Sequence, residues 1–243
     1  MDDVRPATIA GVEGSRTLAI DVGGTGLKAS IIDDNGNLLT DRARMDTPIG
    51  AAPDDIVRAL AGLVRPIGAY DRVSVGFPGV VRDGRVLTAP NLHNDGWQRY
   101  DLAGALGRAL GKPVRVANDA DVQGLAVIAG KGVEMVITLG TGFGTGLYLD
   151  GRLGPHLELS HHPFRNGETY DEQLGNAARK TVGAARWNKR LKKALANVRI
   201  LTKFDHLYIG GGNAKKIDFT LDPDMTIVSN EAGIRGGVAL WRQ

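Results

Sequence analysis

The chain has no cysteine, which excludes disulfides, a thiolate nucleophile and cysteine-ligated zinc, and fits a reducing setting. No window approaches the ~20 consecutive apolar residues of a membrane span. The opening Met1 to Pro6 has no basic patch running into an apolar stretch. The expectation is a cytoplasmic protein with no membrane partner. A dominant charge is missing too. The 30 basic residues stand against 27 acidic ones, a net charge of +3, so no whole-molecule field argues for nucleic acid.

Two common nucleotide fingerprints are also incomplete. A Walker-type loop needs glycine-lysine followed by serine or threonine, but Gly111-Lys112 precedes Pro113 and Gly130-Lys131 precedes Gly132. A dinucleotide fingerprint needs its third glycine one place later than Gly146 and a helix after it, whereas Leu147 to Gly151 looks like a strand entering a turn.

What the chain has in excess is glycine, 34 residues in 243, about twice the usual ~7% share. With no repeat or low-complexity run to absorb them, these glycines belong to particular turns. Two turns are densest: Asp21-Val22-Gly23-Gly24-Thr25-Gly26-Leu27-Lys28 and Thr138-Leu139-Gly140-Thr141-Gly142-Phe143-Gly144-Thr145-Gly146. Apolar runs flank both, so each predicts a strand-turn-strand hairpin. Such turns bring backbone N–H groups close to an anion with no Cβ in the way, and Thr25 and Lys28 add a hydroxyl and a cation. The alternative is that the glycines merely supply positive φ to tight turns, which explains one or two in each.

The hydrophobic content of 42% over 243 residues is enough for two lobes. Periodicity predicts a third strand over Leu38 to Met45, and a helix with Pro53 near its start and Ile56, Val57, Leu60, Leu63, Val64 and Ile67 on one face. It adds a strand from Val73 to Phe77, a helix from Leu102 to Leu110 and a strand from Val114 to Ala117. The second half repeats the theme: Val133 to Leu139, the glycine turn, Gly146 to Leu149, helices from about Tyr170 to Phe204, and a strand from Leu207 to Ile209. The expected division is a lead-in at 1–16, a first lobe at 17–117 and a second at 118–243, with a ligand held between lobes. A basic stretch, Arg186, Lys189, Arg190, Lys192, Lys193, Arg199 and Lys203, lies on a helix whose apolar stripe is Trp187, Leu191, Leu195, Val198 and Leu201. It is either a solvated face or a track for a polyanion.

These motifs resemble those of the ROK family of sugar kinases, within the actin, hexokinase and Hsp70 ATPase fold group. The similarity covers most of the chain. The two glycine turns resemble the family's phosphate motifs. Gly76-Phe77-Pro78-Gly79-Val80-Val81, Asn118-Asp119-Ala120-Asp121, Gly210-Gly211-Gly212 and Ala232-Gly233-Ile234-Arg235-Gly236 resemble further family segments, in the family's order. Within the family the similarity is greatest to polyphosphate glucokinases, which lack the cysteine-rich zinc loop.

The resemblance implies an α/β, two-lobed actin-like ATPase (ribonuclease H-like) fold, each lobe a mixed sheet with flanking helices. It implies phosphoryl transfer from ATP or inorganic polyphosphate to a hexose, glucose first, with Mg²⁺ and no zinc, in a homodimer that binds no nucleic acid. The alternative is a sugar-responsive ROK-type binding or regulatory protein. About 16 residues precede the first strand, too few for the helix-turn-helix such regulators carry.

Carried over by position, Asp119 is the catalytic base, and Asp21 holds the metal. Gly23, Gly24, Thr25, Lys28, Gly140, Thr141 and Gly142 bind phosphate. Asn91, Asn118, Asp119, Glu158 and His161 contact sugar, and Gly211, Gly212, Lys215 and Lys216 meet nucleotide or polyphosphate. The family's Glu-x-Gly-His stands here as Glu158-Leu159-Ser160-His161, followed by a second histidine, His162. A further acidic sugar contact is expected at Glu168, Asp171 or Glu172.

Overall fold

The structure is a computed structural model that describes residues 14–229 and 232–243. Most of the expected lead-in, residues 1–13, lies outside them. The chain separates into two compact units: one runs to Asp119 and takes back Gly237–Arg242, and the other runs from Ala120 to Gly236 with Gln243. The sequence boundary after Ala117 thus falls two residues ahead of the division, and the last turns of chain belong to the first unit.

The first unit holds β1 (Thr17–Val22), β2 (Gly26–Ile32), β3 (Ala43–Asp46), α1 (Pro53–Val64), β4 (Arg72–Phe77), the small hairpin of β5 (Val81–Arg82) and β6 (Arg85–Val86), α2 (Leu102–Leu110) and β7 (Val114–Asn118). Its sheet runs β3-β2-β1-β4-β7. The first three strands form an antiparallel meander, and β4 and β7 add in parallel to β1. β1 and β4 are central and buried along nearly their whole length, with large apolar residues (Leu18, Ile20, Val22; Val73, Val75, Phe77) alternating with small ones such as Ala19, Ser74 and Gly76.

Helix α1 starts at Pro53, with Asp54 and Asp55 at the positive end of its dipole, and buries Ile56, Val57, Leu60 and Val64. It ends before Ile67, whose N–H closes a turn onto Val64. Helix α2 matches its expected span. The Asp101 side chain caps its start by accepting from Gly104 N, and Gly111 ends it in the left-handed region at φ 65°. The third strand is shorter than the apolar run predicted, since Leu38 makes only an isolated bridge to Ile32 and is exposed.

The second unit holds α3 (Asp119–Gly124, its first residue counted with the first unit), β8 (Val133–Leu139), β9 (Phe143–Leu149), β10 (Arg152–Leu153), the hairpin of β11 (Pro163–Arg165) and β12 (Glu168–Thr169), α4 (Tyr170–Leu174), α5 (Asn176–Val182), α6 (Ala184–Thr202), β13 (His206–Gly210), β14 (Met225–Ile227) and the start of α7 (Ala232–Ala239), whose residues from Gly237 on are counted with the first unit. Its sheet runs β10-β9-β8-β13-β14. The pattern is that of the first unit: an antiparallel meander whose first strand takes a parallel neighbour, with a second parallel strand beyond it.

The helical stretch expected from Tyr170 to Phe204 is three helices, broken at Gly175 and at Gly183, where φ is 79°. Along α6, Trp187, Leu191, Ala194, Leu195 and Val198 are buried, and the Trp187 indole donates to Leu174 O at 2.8 Å. Leu201 departs from the expected stripe and is exposed. The helix ends at Thr202, Lys203 turns left-handed, and Phe204 fills the core instead. One buried charge escaped the sequence reading. Glu134, 1% exposed, accepts from the N–H groups of Ala129, Gly130 and Lys131 and from the Tyr208 hydroxyl, so its desolvation is offset by four donors. Among the described residues no helix is long and apolar enough to cross a membrane.

Candidate active site

The glycines of the two hairpins do not serve positive φ. Gly23, Gly24, Gly26, Gly140, Gly142, Gly144 and Gly146 all lie outside the left-handed region, so the tight-turn explanation fails. In the first loop a Cβ on Gly23 would come 2.9 Å from Gly26 O, and one on Gly24 would come 3.2 Å from Asn91 Cβ. Two candidates far apart in sequence, Gly24 and Asn91, are therefore neighbours. Thr47 braces the loop from behind: its hydroxyl donates to Gly23 O at 2.6 Å and its N–H to Thr25 O at 3.3 Å. Thr47 was not singled out from sequence, because a threonine at the end of an edge strand carries no local signal.

Lys28 lies one register step inside the loop, paired across the strands with Asp21, and its Nζ donates to Asp21 Oδ2 at 2.9 Å. Asp21 retains a side-chain exposure of 33%. A divalent cation held by Mg²⁺-type chemistry needs only one or two protein carboxylates, the rest of its shell being water and phosphate. Asp21 fits such a role. Among the described residues no three His, Asp or Glu side chains cluster as a self-sufficient metal site.

Asp119 follows directly on β7 as the first residue of α3. Its backbone lies against Gly76 of β4, where an added Cβ would come 3.4 Å from Asp119 Cα, so Gly76 makes room for the turn into the helix. Asn118 is 7% exposed and donates from Nδ2 to Gly79 O at 3.1 Å, while a Cβ on Gly79 would overlap Thr88 O at 2.0 Å. The Gly76 to Gly79 and Asn118-Asp119 segments, separate in sequence, thus form one packed corner.

In the second hairpin, Phe143 N donates to Asp171 Oδ1 at 2.6 Å, and a Cβ on Gly142 would lie 2.5 Å from both oxygens of that carboxylate. Gly140 O accepts from Asn176 N at 3.0 Å and from Asn213 Nδ2 at 3.3 Å, and Asn213 N donates to Leu139 O at 2.9 Å. The loop after β13 is therefore stitched to the loop after β8. Gly211 needs glycine twice over, with φ of 90° and a Cβ position 2.2 Å from Leu139 O. Gly140 and Gly212 need it for neither reason: φ is ordinary and a Cβ would meet nothing within 4 Å. Two adjoining loops thus present backbone bare of side chains on an open face.

Of the three acids considered downstream, two are occupied. Asp171 holds Phe143 N, and Glu172 completes a capping box with Thr169 at the start of α4, its carboxylate drawn below its ordinary pKa by those bonds. Glu168 opens β12 and is exposed.

Glu158 and His161 flank a 3₁₀ turn, Leu159–His161. The Ser160 hydroxyl donates to Glu158 Oε1. Burial pushes the Glu158 carboxyl up, but bonds from His156 and Ser160 more than offset it, and the net shift is downward. His162, the additional histidine, keeps its ring against Tyr170, with Nδ1 2.8 Å from Pro163 O.

Lys215 and Lys216 are exposed on a 3₁₀ turn, Ala214–Lys216. Asn188 of α6 ties that turn to the helix by donating to Lys216 O at 3.1 Å and accepting from Asp218 N at 3.3 Å. The basic stretch on α6 is partly spent within the unit. Arg199 clamps Asp222 and Asp224, Lys192 lies over Phe219 at 4.9 Å, and Lys193 lies over Phe164 at 5.7 Å.

Residues 17–166 match the ROK family. The chain belongs to that family. It is 33% identical over 208 residues to a polyphosphate glucokinase of Mycobacterium tuberculosis, covering 82% of this chain and 78% of the relative. The crystal structure of an inorganic polyphosphate/ATP-glucomannokinase from an Arthrobacter strain superposes with a TM-score of 0.82 at 32% identity, over 95% of this chain and all of that one. A ROK family glucokinase from Streptomyces griseus, in complex with glucose and AMPPNP, shares the fold with a TM-score of 0.71 at 20% identity, over 93% of this chain and 98% of that one. The chain has the expected α/β fold of the actin-like ATPases and is a kinase of the hexokinase and glucokinase type.

Proposed function

We propose that this sugar kinase phosphorylates glucose, drawing the phosphoryl group from ATP or inorganic polyphosphate. The observation that carries the donor assignment is the pair Gly140 and Gly212, glycines in adjoining loops that neither backbone conformation nor packing demands. The Gly140 N–H closes the loop onto Gly142 O at 3.1 Å, and the missing Cβ lets phosphate oxygens approach the neighbouring backbone, which a side chain would fend off. In the other hairpin Gly23, Gly24 and Thr25 supply the same chemistry, and Lys28 adds charge. Gly211, Lys215 and Lys216 extend the donor contacts, the two lysines toward a phosphate chain.

Asp119 acts as the base. It takes the proton of the attacking hexose hydroxyl as the new O–P bond forms and the bond to the leaving phosphate breaks, releasing ADP or a chain shorter by one phosphate. Asn91, Asn118, Glu158 and His161 contact the sugar, and Glu168 is the further acid, since Asp171 and Glu172 serve the local fold. Mg²⁺, held by Asp21 with the donor phosphates, neutralises charge on the transferred group when bound.

The test is turnover across a matrix of hexoses against ATP, other nucleoside triphosphates and polyphosphate, with and without Mg²⁺, alongside Asp119→Asn. We expect glucose to give the highest kcat/KM and Asp119→Asn to lower kcat by at least ~10²-fold with sugar binding retained. Hexose binding without turnover on any donor, or near-normal turnover in Asp119→Asn, would overturn the reading.

A further inference from the structure

The roles assigned so far leave one buried cation unused. The His156 side chain is 7% exposed and sits between two carboxylates, its Nδ1 3.0 Å from Asp121 Oδ2 and its Nε2 3.7 Å from Glu158 Oε2. Asp121, on α3, has a side-chain exposure of 3%. Its carbonyl accepts at 2.7 Å from the hydroxyl of Tyr148, a fully buried residue of β9, so the end of α3 that carries Asp121 is pinned to the sheet. The remaining Glu158 oxygen, Oε1, accepts from Ser160 Oγ.

The geometry points to His156 as a positioning residue: an imidazolium wedged between Asp121 and Glu158 that, with Ser160, fixes the Glu158 carboxylate as an acceptor for hexose hydroxyls. The inference rests on Glu158 meeting the sugar, as proposed above. Only a doubly protonated ring has a donor on each side, and here each nitrogen faces a carboxylate. Burial raises the Asp121 pKa against the pull of His156, whereas that of Glu158 is lowered, so the Glu158 carboxylate is the group held ready to accept hydrogen bonds from O–H groups.

The groups facing the ring are Asp121, Glu158 and, behind Asp121, the neutral Tyr148 hydroxyl, with His161 beyond Glu158. Burial disfavours charge on His156, but the bonds and charges of Asp121 and Glu158 outweigh it and raise its pKa to about 10. Serine in place of the family motif's glycine then has a purpose: Ser160 holds one Glu158 oxygen while His156 faces the other.

The experiment measures sugar and donor KM and kcat against pH for the wild type, His156→Asn, Glu158→Gln and the double variant, with NMR titration of the His156 ring in the free wild-type protein. His156→Asn is expected to raise glucose KM by about tenfold, the loss of one charge-assisted contact, with kcat and donor KM nearly unchanged. Its acid limb of kcat/KM for sugar moves to higher pH, because burial then dominates the Glu158 carboxyl. In the Glu158→Gln background the same substitution adds nothing, and the wild-type ring stays protonated past pH 8.

A wild-type KM and pH profile in His156→Asn, an equal KM increase in the Glu158→Gln background, or a ring titrating near 6.5 would each overturn the inference. If Glu158→Gln alone leaves glucose KM unchanged, the sugar-site reading is what fails.

Discussion

In the first unit four residues separate the paired Val22 and Leu27; in the second, three separate Leu139 and Phe143. The two hairpins occupy the same place in sheets of the same strand order, yet different groups support them. The first is braced by a hydroxyl, Thr47, and lies against Asn91. The second is braced by a carboxylate, Asp171, and by amides of Asn176 and Asn213, and it includes Gly140, where a Cβ would meet nothing within 4 Å. A shared topology therefore fixes where the hairpin sits in the sheet without fixing how the loop is held. The second unit also carries the buried Asp121, His156 and Glu158 trio.

That trio predicts the largest difference. A group whose folded pKa is raised stabilises fully below its unfolded pKa, ~6.5 for histidine, and that stability is lost as pH rises through the folded value, here about 10. Urea unfolding between pH 6.5 and 10 should show wild-type stability falling by roughly 1 kcal/mol per pH unit from this group, with His156→Gln flatter. Equal slopes would mean that the ring is not held protonated.

Next in size, Gly142→Ala forces a methyl into the Asp171 carboxylate and displaces the loop, and kcat/KM should fall about 10²-fold. Gly24→Ala needs only a few tenths of an ångström from Asn91 and should lose less than about tenfold. Similar losses in steady-state assays of the two would erase the distinction between the loops. Gly140→Ala sharpens it: with room for the methyl and an ordinary φ, its melting temperature should stay within about 2 °C while donor KM rises about tenfold. An unchanged donor KM would show that no phosphate approaches that edge. Smallest, Thr47→Val leaves Gly23 O without its hydroxyl donor and should cost about 1 kcal/mol in chemical denaturation. Should it cost nothing, the first loop does not need its brace.

Much of the fold was legible in the chain because apolar runs of strand length, the helical spacing from Ile56 to Val64 and the two glycine turns are local signals. Errors fell where local signals compete with tertiary ones. Leu38 and Leu201 are apolar but end exposed, since an isolated bridge and a last helical turn offer no face to cover them. The helical span from Tyr170 broke at Gly175 and Gly183, which a periodicity count runs through. In the candidate site, sequence found the glycines but left positive φ open as an alternative for one or two in each turn, because φ is decided by how the loop is stitched. It missed Thr47 and His156 and could not place Asp171, whose partner Phe143 lies elsewhere in the chain, whereas the Thr169 to Glu172 capping box was a local signal left unread.

By itself the sequence determined the pair of sheets, the two glycine hairpins, the absence of thiol chemistry and membership of the ROK family. These rest on side-chain period, turn chemistry and motif order, all of which act over a few residues. Only the tertiary structure decided that Asp171 holds the second hairpin, that Gly140 and Gly212 leave backbone open, and that His156 lies between two acids. Each of these depends on which distant group comes within about 4 Å, and chain separation carries no information about that distance.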